Sequence, residues 1–499
     1  MLTAKLNSIS LGTALKHICQ HCYKRLLVHL NDTHLITSGT SLQLGPKVHS
    51  ELKYFTRKFH KVSALQSLEK KTSSLFNHSE SSQPSEWDSP FQLPVPELDW
   101  AFLLDRKNTE FIANNILNRK GIGDIYKVIS LSEQLDKEQN EVEKERIHRE
   151  LISEALDIPN LSHPNTVIGD ESGARVVEVV GTKKEFDFTP RNVSEIAGRG
   201  LKMLRDERLT FSTGAKTYYL EDGLAKLERA LVSFTLDKLL KKGFQLVSVP
   251  DLLYPGVIDS CGFKTSSDRS QVYHLHPRCL NGACLAGTAE MSLAGYFMNE
   301  VIPYDQLPKR MVAVSRCYRA EAQERAAEKG LYRVHHFTKV EMFGLSSCES
   351  GTESEDLLHE LLSIERELFS ALGLHFRVLD MPTQELGAPA QRKFDIEAWM
   401  YGKNIWGEIS SCSNCTDFQS RRLNIKYISP SGELRHVHTV NGTACAVPRL
   451  ITAILEQNQQ QRRKLDLPEI LWPYLGGLKC FSPEWKKSSY TFIKTLSKV

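Results

Sequence analysis

Apolar and polar positions change their period several times along the 499 residues. Residues 98 to about 160 read as helical. Within them Val128, Leu131, Leu135 and Val142 recur at roughly heptad spacing, while residues 133–150 hold seven acids and four bases. That pattern predicts a solvated helix with one narrow apolar seam. Unbroken, residues 124–157 would run about 50 Å, and Pro159 ends the run. Residues 225–242 read as a helix, residues 244–249 as a strand running into Pro250, and residues 450–461 as a closing helix. Residues 332–343 and 393–399 alternate, as strands do. Few segments show the regular strand–helix alternation of a doubly wound sheet, so the expected class is α+β with a mostly antiparallel sheet. No repeat occurs at solenoid periods.

Composition narrows the class without fixing it. The chain has room for two or three domains and a large core, and 41% hydrophobic with 25% charged residues is ordinary for a soluble globular protein. A net charge of +3 is too small to imply nucleic-acid binding by bulk electrostatics, so RNA contacts must come from local patches. No apolar run approaches the roughly 20 residues a membrane helix needs, and no membrane partner is expected. Eleven scattered cysteines read as reduced intracellular thiols. The first 31 residues hold Lys5, Lys16, Lys24 and Arg25 among serines and leucines, and Asp32 is the first acid. Such a start predicts a mitochondrial transit segment, assigned to residues 1–50. Residues 51–97 are expected to be a low-complexity connector, because 72–90 contain seven serines and two prolines. From Lys479 onward five lysines face one acid, with Phe481, Trp485, Tyr490 and Phe492 interleaved, which makes 476–499 a basic tail, read equally as an RNA contact or as a floppy basic terminus.

Candidate chemistry concentrates in four segments. Residues 316–343 carry Arg319 and Glu321, then a polar loop, then Arg333, His335, Phe337, Lys339 and Glu341 on a return strand. Side chains two apart share a strand face, so Arg333, Phe337 and Glu341 are expected to point one way. Gathering that charge is expensive unless a ligand bearing phosphates and an amine receives it. Thr288, Ala289 and Glu290 open a helix, with Thr288 suited to cap it and Glu290 to its first turn. Glu408 and Ser410 would share a strand face, with Ser411 on the other unless the strand ends there; a carboxylate with neighbouring hydroxyls suits Mg²⁺, although such serines also satisfy backbone groups. Around Asn441, Gly442, Thr443 and Ala444 small residues permit close backbone approach, and Arg449 beyond can reach a phosphate. Cys412 and Cys415, followed by His436 and His438, raise a zinc site, but the two histidines stand closer than a finger requires.

Residues 316–343 resemble motif 2 of the class II aminoacyl-tRNA synthetases, and residues 330–341 (GLYRVHHFTKVE) resemble the seryl-tRNA synthetases in detail. Thr288-Ala289-Glu290, the run from Glu408 to Asn414 (EISSCSN) and a motif 3 at 438–449 strengthen the resemblance, and Pro250 is similar to the motif 1 proline of the dimer interface. Ala444 stands where bacterial-type seryl enzymes usually carry glycine. The resemblance covers about residues 160–475, giving an expected catalytic domain at 161–475 and a helical arm at 98–160. It implies a class II synthetase-like antiparallel sheet flanked by helices, with a coiled-coil-like tRNA-binding arm shortened to about half its usual length. It also implies activation of L-serine with ATP and Mg²⁺, transfer of the seryl group to tRNA(Ser), a homodimer and, with the basic start, the mitochondrial matrix. The catalytic residues would be Arg319, Glu408 and Arg449. Arg319 would bind the α-phosphate and touch serine, Ala320, Glu321 and the Val334 backbone would read adenine, and Phe337 would stack on the ring. Arg449, with Arg333, would hold the γ-phosphate; Glu408, Ile409, Ser410 and Ser411 would complete the ATP site, with Glu408 and Ser411 as Mg²⁺ ligands. Thr288, Ala289 and Glu290 would take the ammonium, and Glu341, Asn441 and Thr443 the serine hydroxyl. A catalytically silent paralogue, the competing class, should show decay at Arg319, Glu321, Glu408 or Arg449, and all four are present. The acidic arm is a poor phosphate reader, so activation with impaired charging is a further expectation.

Overall fold

The computed structural model describes residues 93–483 apart from 208, 210–211, 267–269, 279–281 and 322–329; the transit segment, most of the connector and the tail from 484 lie outside the described residues. A single helical turn (Trp100–Leu103) comes first, followed by three longer helices, α1 (Thr109–Asn118), α2 (Ile125–Lys137) and α3 (Glu141–Leu156). The single long helix expected over 124–157 is instead two helices of 13 and 16 residues, about 20 and 24 Å long. The cause is local. Glu138 is extended (ψ 135°), and the Asn140 side chain accepts from the Val142 and Glu143 amides, starting a new helix with Glu141 and Glu143 in its first turn. The chain therefore reverses at 138–140. Val128 and Leu131 are buried against Ile147, Leu151 and Ala155, with Ile112 and Ile116 of α1 completing a small core. Val142 is 81% exposed, because the turn removes it from the predicted seam.

This helical module is clamped to the remainder of the chain by buried polar groups. The Arg119 guanidinium donates to the carbonyls of Asn160 and Gly387. The Asn160 carboxamide donates to Pro389 O (2.8 Å), Cys415 O (3.0 Å) and Thr416 Oγ1 (2.9 Å), while its backbone N–H reaches Ala388 O. Arg422, stacked on Phe418, donates to Leu156 O at the end of α3.

The rest is built on one eight-stranded sheet. In chain order its elements are β1 (Arg175–Val180), α4 (Gly223–Lys241), β2 (Gln245–Val247), α5 (Ala289–Tyr296), β3 (Lys309–Tyr318), β4 (His336–Ser346), α6 (Glu353–Ala371), β5 (Phe376–Asp380), β6 (Arg392–Met400), β7 (Ile405–Thr416), α7 (Phe418–Leu423), β8 (His438–Ala446) and α8 (Val447–Gln457). The strand order is β1-β5-β6-β7-β8-β4-β3-β2. Every pair is antiparallel except β2 with β3. The predicted α+β class with an antiparallel sheet is thus observed. One boundary differs in a way that matters: 330–332 form a 3₁₀ turn, so β4 starts at His336 and Arg333 precedes it rather than sharing its face.

Helices α4, α6 and α8 cover one face of the sheet, where Leu227, Phe234, Leu361, Phe369, Ile396, Val440 and Ile451 form the main core. Contact is close enough that a Cβ on Gly344 would lie 2.6 Å from Leu357, and one on Gly442 would lie 2.8 Å from a Glu365 carboxyl oxygen. Glu365, on α6, is fully buried; neither oxygen meets a partner at ordinary hydrogen-bond geometry among the described residues, and the nearby Cys412 thiol and Ser410 hydroxyl offset its burial only in part. Burial pushes its carboxyl well above 4.5. Between the unfolded value and that raised one, the folded chain holds a proton the unfolded chain has lost, so stability falls as pH rises. Glu365→Gln removes that slope. In urea unfolding its stability relative to the native chain should increase from pH 4.5 to 7.5; a difference constant with pH would contradict a buried neutral acid.

Candidate active site

Two bulges decide which side chains reach the uncovered face. Between β6 and β7, Glu397 pairs with Glu408 and Ile396 with Ser410, leaving Ile409 unopposed. The extra residue reverses the alternation, so Glu408 and Ser411 share the face of Asp395 and Glu397. Ser410 turns to the core side, where its hydroxyl donates to Thr443 O at 2.6 Å. The expectation of Glu408 with Ser410 on one face and Ser411 on the other is therefore corrected. Ile409 is fully buried in the core, so it and Ser410 present main chain alone to this surface. Between β4 and β8, Val340 pairs with Cys445 and Glu341 with Thr443. Ala444 is the unopposed residue, its methyl in the core, which accommodates the departure from glycine.

On the open face of β4, Phe337, Lys339 and Glu341 line up. Lys339 Nζ contacts Glu341 Oε2 at 2.5 Å and donates to Thr288 Oγ1 at 2.7 Å, and Thr443 Oγ1 donates to Glu341 Oε2 at 3.2 Å. Beside this cluster Glu290, buried in the first turn of α5, accepts from Gln419 Nε2 (2.7 Å) and Asn441 Nδ2 (2.8 Å). Gln419 is itself fixed by the Thr439 hydroxyl. Burial, then the Glu341 charge, pushes Glu290 up to about 7, with Gln419, Lys339 and Arg319 pulling the other way. Ala289 is fully buried, so its contribution is to the helix start rather than to a ligand through its side chain.

The other end of the face is built around Arg449. Its guanidinium pairs with Glu408 Oε1 at 3.2 Å, donates to Glu408 O at 3.2 Å, and lies 4.7 Å from the centre of the Tyr332 ring, whose hydroxyl also donates to Glu408 O. Burial opposes ionisation of Glu408, but Arg449, Lys393 and Arg319 outweigh it and hold the carboxyl below its usual range. Its side chain keeps 37% exposure and can accept a further partner. Between the two ends lies Arg319, 5.3 Å from the Phe337 ring centre; its charge acts on both Glu290 and Glu408. Glu321 has a left-handed backbone (φ 47°) and meets Arg333 at 3.5 Å. The Val334 side chain is in the core, leaving its main chain for a ligand.

Arg319, Phe337, Glu341, Glu408, Ser411 and Arg449 are thus gathered along one face with Glu290 beside it and Arg333 arriving from the turn, whereas the side chains of Ala289, Val334, Ile409 and Ser410 are buried away from it. Two residues had no assigned role: Lys339, whose signal was its place two residues before Glu341, and Gln419, whose partnership with Glu290 spans 129 positions. The zinc reading fails. Cys412 faces the core, Cys415 lies 3.7 Å from Asn441, His438 bonds Ser354 and His436 meets Glu97. Among the described residues no group of three or more such side chains could hold a metal.

An antiparallel sheet with helices behind it, and an arginine–aromatic–carboxylate face in front, defines the catalytic core of a class II aminoacyl-tRNA synthetase. Residues 273–458 match the tRNA synthetase class II core domain (G, H, P, S and T). The mitochondrial serine–tRNA ligase of Mus musculus is 52% identical over 339 residues, 68% of this chain and 65% of that one. The serine–tRNA ligase of Treponema denticola is 41% identical over 342 residues, 68% of this chain and 79% of that one. The seryl-tRNA synthetase of Pyrococcus horikoshii, solved with ATP, superposes with a TM-score of 0.67 at 28% identity, covering 77% of this chain and 99% of that one. The chain belongs to the serine–tRNA ligase family. It spans just under two thirds of the mouse relative's length.

Proposed function

We propose that this chain activates L-serine with ATP to seryl-adenylate and passes the seryl group to the 3′-terminal ribose of tRNA(Ser), as a homodimer in the mitochondrial matrix. One observation carries the reading: a buried carboxylate held by two amide donors (Glu290) stands beside a hydroxyl-sized polar array (Lys339, Glu341, Thr443), and both open towards Arg319. An amino acid with a short hydroxyl side chain fits that arrangement. Its ammonium would pair with Glu290 and its hydroxyl would enter the Glu341–Thr443 array, with Asn441 bordering both. Alanine would leave those buried groups unpaired, the strongest form of rejection available to such a pocket.

Activation needs alignment and charge neutralisation more than a protein nucleophile. The serine carboxylate attacks the α-phosphorus and pyrophosphate leaves. Arg319, between the two ends, would neutralise charge on the α-phosphate, while Phe337 would stack on adenine against Glu321 and the Ala320 and Val334 main chain. Arg449, with Arg333, would hold the γ-phosphate. Glu408 and Ser411, on one face and with Glu408 still open to solvent, suit a hard divalent cation. Mg²⁺ held there would supply charge neutralisation to the phosphates. The comparisons give no support to a silent paralogue. Half-exposed Leu246 and Leu252 on either side of Pro250 support a dimer surface, and the mitochondrial relative together with the basic start supports the compartment.

Serine-dependent ATP–pyrophosphate exchange tests the proposal. Exchange is expected with serine and not with alanine or threonine, and Arg319→Ala should lower it by about 10²–10³; exchange with all three amino acids, or an unaffected variant, would contradict the assignment. The pH dependence follows from Glu290. Its folded pKa is raised to about 7, so below that value it is protonated and cannot pair with the ammonium. The kcat/KM for serine should therefore drop about tenfold per pH unit below about 7, and Gln419→Leu, which removes a donor to the carboxylate, should move that limb to higher pH.

A further inference from the structure

Beyond the substrate face, a second surface gathers more cations than acids. After α8 the chain makes a tight turn, closed by Gln460 N–H donating to Lys464 O at 2.8 Å. At its tip Arg462 and Arg463 both have left-handed backbone (φ 56° and 63°), a conformation that favours glycine. Both side chains are exposed, and neither makes a hydrogen bond or ion pair among the described residues. The turn is anchored to the preceding loops. Arg463 packs its stem on Gly200, and the Gln459 carboxamide bonds both the N–H and the C=O of Arg191. Lys184 Nζ donates to Asn458 Oδ1, and Lys183 lies over the Trp399 ring. Lys202, also left-handed (φ 56°), follows Gly200 by two residues. Six cations thus share one surface. The acids nearby include Glu185, Asp187, which accepts from Gln461, Asp466, which pairs with Lys464 and acts on Lys184, and Glu195 and Glu456 in the neighbouring cleft.

A solvated face of ordinary charge looks different in this same molecule. On α3 both exposed arginines, Arg146 and Arg149, are matched to a glutamate. Holding arginines unpaired on a turn whose backbone suits glycine is a feature of surfaces that meet an anion. The surface also borders the substrate face. A cleft of about 270 Å³, lined by Asn192, Glu195, Arg199, Tyr332, Lys403 and Glu456, runs beside it, and Tyr332 is the ring under Arg449.

We infer that the surface formed by Lys183, Lys184, Arg191, Lys202, Arg462 and Arg463 binds the phosphate backbone of an RNA helix. The inference rests on the proposed charging of tRNA, and it names where the acceptor-side backbone would lie when the short, acidic arm cannot supply the contacts. Backbone phosphates are read by flexible cations without base contacts, so the surface supplies affinity and placement rather than sequence choice.

The experiment uses the full chain carrying Arg462→Glu with Arg463→Glu, and in vitro transcribed tRNA(Ser). Serine-dependent ATP–pyrophosphate exchange should stay within about twofold of native, because neither residue touches the substrate face. The kcat/KM for charging should fall at least about tenfold, and the slope of log affinity against log salt should become shallower by about two. Arg462→Lys with Arg463→Lys should keep affinity and slope. Native affinity and slope in the charge-reversed variant would overturn the inference, as would a loss that is equal in the lysine variant. If the native chain shows no exchange but loses RNA binding on charge reversal, the enzymatic reading fails while the surface stands.

Discussion

One face of the sheet must hold several charges that water reaches only partly, and the rest of the structure is arranged around making that tolerable. Partly buried ions are costly unless paired and hydrogen-bonded. Here four cations have a neighbour of opposite sign, Lys339 with Glu341, Arg449 with Glu408, Lys393 with Asp395 and Arg333 with Glu321, while Glu290 is held by two amide donors. In the proposed reaction the substrate's phosphates and hydroxyl would meet these pairs, and its ammonium would meet Glu290. Ligand charges can replace partners already present, so the face need not be rebuilt when it binds.

The opposite face makes this possible by being closely packed. Helix α6 approaches β4 and β8 closely where Gly344 and Gly442 lack side chains, and the bulges at Ile409 and Ala444 bury those two apolar groups while leaving Glu408, Ser411, Glu341 and Thr443 to the open face. The helical module is tied into the same frame. Asn160 bonds the Cys415 carbonyl, the Cys415 thiol lies against Asn441, and Asn441 holds Glu290. Contacts that fix the arm and contacts that fix the amino-acid end therefore meet within a few residues of one strand.

Much of this was legible in the sequence because it is local. The antiparallel class followed from alternating segments, and the candidate site residues were named from short runs that resemble the class II and seryl motifs. What escaped depends on partners distant in the chain or on one extra residue in a ladder. A bulge cannot be read from alternation, so Ser410 and Ser411 exchange their expected faces. Asn140 looks like any polar residue in a charged helix until the chain turns and it becomes a cap. Gln419 acquires its role only when α7 is brought beside α5. Lys339 was visible on its strand, but its function needs Thr288, which belongs to another element.

The most direct test of the account is the proton balance of serine binding, measured by calorimetry in buffers of different ionisation enthalpy. If Glu290, raised to about 7, receives the ammonium, binding should release protons, approaching one per site near pH 6 and vanishing by about pH 8.5. Binding without proton release across that range, or with uptake, would mean that the ammonium is held elsewhere and that the charged face is not organised for serine.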